Sequence, residues 1–87
     1  MLRHAIGATL RRIRLDRSLT LRIVADDARI SMPYLSEIER GRKEPSSEML
    51  AAVGGALDLP LVELTRAVGR RLITTADRPT GPVALAA

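Results

Sequence analysis

Between Thr20 and Gly41 the chain reads TLRIVADDARISMPYLSEIERG, and its punctuation leaves the backbone little freedom. Thr20 is a good N-cap for a helix from Leu21 to about Ala28, because its hydroxyl accepts one of the N–H groups that a first helical turn leaves unpartnered. Arg29-Ile30 forms a turn. Ser31 then caps a second helix, with Pro33 in its first turn, where a missing N–H costs nothing. Gly41 ends that helix, in the left-handed conformation that glycine adopts without penalty. Val24, Ala25 and Ala28 give the first helix an inward face; Leu35 and Ile38 do the same for the second. Residues 21–28 and 32–40, joined by a turn of about three or four residues, form a helix-turn-helix arrangement.

The remaining segments extend the pattern. Ile6, Leu10 and Ile13 recur at helical spacing within Leu2 to Asp16, with arginines on the other faces. Pro45-Ser46 starts a fourth helix carrying Leu50, Val53 and Leu57. Pro60 starts a fifth, on which Leu61, Leu64, Val68 and Leu72 form one stripe, with Leu61 and Leu64 expected in the core. Tyr34 is the one aromatic residue among 46% hydrophobic residues, so the core must be aliphatic. That suits short packed helices, and no segment reads as a strand. The expected fold is all-α: one five-helix domain over residues 1–73, then a flexible C-terminal tail over 74–87. A chain of 87 residues has no room for a second core and scarcely any for a catalytic cleft.

Several classes of function are excluded. Zero cysteines rule out disulfides and thiolate metal sites, and the lone His4 builds no metal site alone, so neither a metal nor a cofactor is expected. No acid–base pair and no phosphate-binding glycine loop suggests an enzyme. Arg3, His4, Arg11, Arg12 and Arg14 interrupt any signal-like run, and no segment reaches the ~20 apolar residues a membrane span needs. A cytoplasmic protein is expected. Residues 1–44 hold ten basic groups against six acids, so the whole net charge of +4 sits in the first half. That asymmetry points to a polyanion, or to a solvated surface.

The frame T-x-x-x-V-A-x-x-A-x-I-S-x-x-Y-L-S-x-I-E-R-G-x-x-x-P-S resembles the Cro/repressor-type, or xenobiotic-response-element, family of helix-turn-helix proteins, over residues 5 to about 68. Within it, YLSEIERGRKEPSSEML is similar to the actinobacterial regulators of Clp protease genes. The resemblance implies a lambda-repressor-like fold and a transcription regulator bound to double-stranded DNA. The closer likeness implies an activator of protease genes, with RNA polymerase as a further partner.

A helix placed in the major groove meets base edges with its N-terminal residues. On the helix opened by Ser31 the outward positions are Met32, Pro33, Ser36, Glu37 and Arg40. By the family's pattern Met32, Pro33 and Glu37 are the base readers. The first two suit a thymine methyl, and Glu37 suits cytosine N4; a solvated Glu37 is the alternative. After Gly41 the chain leaves the groove, so Arg40, Arg42 and Lys43 around that exit are placed to hold phosphates, joined by Thr20, Arg22, Ser36 and Ser46. Tyr34 either offers its hydroxyl to a phosphate or packs its ring on the domain. The resemblance also pairs Glu39 with Arg14, locking the recognition helix to the first.

The chain departs from the family at three positions. Leu21 stands where many relatives carry Gln, and Ser18 and Arg29 stand where glycines are common, so the expectation for those two is either some strain at positive φ or a slightly different turn. Val68, Leu72 and Ile73 are expected to extend the fifth helix into a homodimer contact matched to a palindromic operator. The ending Leu85-Ala86-Ala87 resembles the terminal tag that Clp proteases recognise, or is an ordinary alanine-rich end. A protein-interaction or antitoxin-like module on the same fold is the rival function.

Overall fold

A computed structural model describes residues 2–76. Five helices follow in order: α1 (Leu2–Asp16), α2 (Leu21–Ala28), α3 (Met32–Glu39), α4 (Ser47–Ala56) and α5 (Leu61–Ala76). No strand occurs among the described residues. None of their helices is long and apolar enough to cross a membrane. The expected tail from residue 77 onward, and with it Leu85, Ala86 and Ala87, lies outside the described residues.

Local hydrogen bonds explain where three helices start. The hydroxyls of Thr20, Ser31 and Ser46 accept from the backbone N–H groups of Ile23, Tyr34 and Met49, each at 3.1 Å. The ends of α1 to α4 share one device. Ser18, Arg29, Gly41 and Asp58 take left-handed φ values of 57°, 61°, 76° and 59°. After each, the next N–H reaches back into the helix: Leu19 to Arg14 O (3.0 Å), Ile30 to Ala25 O (2.9 Å), Arg42 to Glu37 O (2.9 Å) and Leu59 to Gly54 O (2.7 Å). Three of these sites lack glycine, at a cost of about 1–2 kcal/mol each. Packing Leu19, Ile30 and Leu59 against the core offsets that strain. Of the two readings for Ser18 and Arg29, both residues thus take the strained positive-φ one.

α1 packs on α3 and α5, α2 on α3 and α4, and α4 on α5. Leu10, Val24, Leu35, Ile38, Val53, Leu57 and Leu64 are fully buried at the centre, all of them aliphatic. α1 and α3 approach closely where Gly7 crosses the end of α3: a Cβ there would collide with the carbonyl oxygens of Ile38 and Glu39.

Three expectations about the last helix are corrected. α5 begins at Leu61, with Pro60 just before it accepting the N–H groups of Glu63 and Leu64, and it runs to Ala76 rather than to residue 73. Apolar periodicity fades after Ile73, but no proline falls between Leu61 and Ala76 to interrupt the backbone ladder. Leu61 is 43% exposed and not in the core: residues 61–63 are all exposed, and α5 first meets the core at Leu64. Val68, by contrast, is turned into the chain's own core at 8% exposure.

Candidate nucleic-acid interface

α3 owes its orientation to a network at its C-terminal end. The carboxylate of Glu39 accepts two hydrogen bonds from Arg14, Nε to Oε2 at 2.7 Å and Nη2 to Oε1 at 3.0 Å. Arg14 Nη1 donates to the carbonyl of Leu19 at 2.9 Å, tying in the turn before α2. The two side chains are only 9% and 6% exposed. The hydrogen bond to Glu39 raises the Arg14 pKa further above its ordinary value against the opposing effect of burial, so the guanidinium is permanently charged. No buried side-chain polar atom among the described residues is left without a partner.

With Leu35 and Ile38 buried beneath it, α3 turns Met32, Pro33, Ser36, Glu37 and Arg40 to its other side. Met32, Pro33 and Arg40 are exposed, whereas Ser36 and Glu37 are half-buried. Tyr34 packs against the core, which favours the packing role for its ring. Glu37 Oε2 lies 3.7 Å from Arg42 Nη1, in an ion pair that sequence reasoning missed. Both acids of α3 therefore face an arginine.

The chain leaving α3 exposes Arg42, Lys43 and Glu44, then buries Pro45. Thr20, Arg22 and Ser46 are exposed as well. The oxygens of Thr20 and Ser46 are already engaged as caps, yet each hydroxyl keeps its proton to donate. The first turn of α4 has backbone N–H groups without a partner inside the helix, as any helix start does, and Glu48 sets a carboxylate at the same end. Arg14 and Glu39 are brought together; Leu72 packs partly on the core, and Ile73 stands 64% exposed. A further missed contact is Arg17 Nε donating to the carbonyl of Leu57 at 2.8 Å, which closes the end of α4 from forty residues away. No local signal marks it.

Two short helices joined by a left-handed turn, the second fixed from behind and open in front, define a helix-turn-helix DNA-binding domain. The chain belongs to the helix-turn-helix domain family, whose profile matches residues 5–68, and to its DNA-binding transcription regulators. It is 47% identical over 89 residues to the transcriptional regulator ClgR of Mycobacterium tuberculosis, an alignment spanning 93% of this chain and 80% of that protein. The crystal structure of the clp gene regulator ClgR from Corynebacterium glutamicum matches with a TM-score of 0.83 at 43% identity, over 95% of this chain and 89% of that one. The restriction-modification controller protein C.Esp1396I shares the fold alone, with a TM-score of 0.80 at 19% identity over 85% of this chain and 96% of that one. The family is one of regulators, not of enzymes.

Proposed function

We propose that α3 lies in the major groove of a duplex operator, reading bases with Met32, Pro33 and Glu37. A helix with its side chains is about 10–12 Å across and the groove about 12 Å wide, so one helix fits. The observation that carries this reading is the buried Arg14–Glu39 clamp, which holds α3 rigid while leaving its outward face free. Arg40, Arg42 and Lys43, with Thr20, Arg22, Ser36 and Ser46, hold phosphates on either side. These contacts set register and affinity, and the α3 side chains set sequence.

The regulator works in the cytoplasm as a homodimer on a palindromic operator with half-sites about one turn, ~10 base pairs, apart. The dimer forms through the outward side of α5, where Val62 and Ile73 are exposed and Leu72 is half-buried. Likeness to a clp gene regulator supports control of Clp protease genes; we take that control to be activation, with RNA polymerase as the partner of the bound dimer.

Selection of bound duplexes from a random pool tests the core of this reading. The parent is expected to enrich a two-fold motif, and Met32→Ala and Glu37→Gln to change the enriched bases. Binding at rising salt should fall with a log–log slope of about −0.9 per phosphate neutralised. A shallow slope with no enriched motif would instead favour a protein-interaction module.

A further inference from the structure

The turn that ends α3 does more than stop a helix. Gly41 at φ 76° swings the chain back so that Arg42 N–H donates to Glu37 O at 2.9 Å, and the same residue's guanidinium lies 3.7 Å from the Glu37 carboxylate. Arg42 is therefore held to Glu37 twice, by backbone and by charge. Its side chain remains 64% exposed, and the ion pair exceeds hydrogen-bond length, so the contact contributes little to folding. Its value lies elsewhere. A bare carboxylate approaching a duplex is repelled by phosphates on both strands. A guanidinium carries five donors in a planar fork, so one edge can neutralise a carboxylate while another takes a phosphate oxygen.

We propose that Arg42 is a positioning residue for sequence recognition: it bridges Glu37 to the DNA backbone and fixes the carboxylate where it can accept from a base-edge amino group, as on cytosine. This rests on the reading of α3 as the groove helix and of Glu37 as a base reader. Arg40 and Lys43 lack such a tie to an α3 side chain among the described residues, which sets Arg42 apart from an ordinary phosphate contact.

The test compares parent, Glu37→Gln, Arg42→Gln, Arg42→Lys and the double variant Glu37→Gln/Arg42→Gln by selection from a random duplex pool, with affinity measured on the parent's best site. Glu37→Gln is expected to remove the preference at one base pair of each half-site. Arg42→Gln should lower that same preference about tenfold and leave other positions intact. Arg42→Lys should keep affinity but recover only part of the preference, since an ammonium cannot fork. The double variant should be no less selective there than either single change. If Arg42→Gln weakens all duplexes by one common factor and alters no preference, Arg42 is a phosphate clamp only; the proposal then falls while the function stands. If Glu37→Gln shifts nothing although the parent is selective, the assignment of Glu37 and this proposal fall together. A parent that selects no duplex overturns the function itself.

Discussion

Arg14 on α1 and Glu39 on α3, twenty-five residues apart in sequence, form a two-point hydrogen-bonded pair that is almost wholly sealed from water. Removing one partner leaves an uncompensated buried charge, at about 3–5 kcal/mol. Arg14→Met and Glu39→Leu are each expected to lower Tm by roughly 12–40 °C in a domain of this size. Replacing both together should recover much of the loss, because the desolvation penalty disappears with the charges. Arg14→Lys should behave like a loss, having no fork for Glu39 and Leu19. The raised Arg14 pKa means the charged guanidinium contributes its stability throughout the neutral and moderately alkaline range, with loss only in strong alkali. Thermal melts of the four variants across pH check each statement.

Left-handed residues that are not glycine offer a gain. Ser18→Gly is expected to stabilise by about 0.5–1 kcal/mol, the relief of αL strain being reduced by extra freedom in the unfolded chain. Asp58→Gly should gain less, since Asp tolerates that region better. Gly41→Ala should lose stability, both from φ 76° and because its Cβ would press on the His4 ring. Denaturant midpoints at unchanged slope measure all three.

Helical glycines separate by their surroundings. Gly7→Ala drives a methyl into the Ile38 and Glu39 carbonyls and should cost about 1–3 kcal/mol or more, since neither helix can retreat without breaking the Arg14 clamp. Gly55 and Gly69 have open space at the same atom, so Ala there should stabilise by about 0.5–1 kcal/mol through helix propensity. The opposite signs are readable in one set of urea titrations. Equal effects at all three sites would mean that the α1–α3 approach is not close.

Loop cations should act without regard to sequence. Lys43→Gln and Arg40→Gln are each expected to weaken every duplex by a similar factor and to lower the salt slope by about 1. Their contrast with Arg42→Gln is a direct comparison of clamp and positioning residue.

Ile73→Asp places a charge on the outward side of α5 without touching the core, where Val68 already sits. Sedimentation should show a shift toward monomer and an unchanged Tm for the monomer. Leu61→Ser, also outside the core, should melt nearly as the parent does. A parent that stays monomeric at high concentration and on operator DNA removes the dimer from the proposed function.

The sequence by itself determined the helices and most of their ends, because caps and stripes are short-range. Thr20, Ser31 and Ser46 each bond three residues ahead, and apolar period alone turns Leu35 and Ile38 inward. The pairing of Arg14 with Glu39 came from likeness to a family, not from local physics. Tertiary structure alone decided how far each stripe is used. Leu61 and Val68 share a periodic row on α5, yet one is exposed and the other buried, because a row's period does not say where the neighbouring helices stop. It also decided the contact of Arg17 with Leu57, the crossing at Gly7 and the side-chain approach of Arg42 to Glu37. Each of these depends on how folded segments meet in space, and residue period carries no record of that.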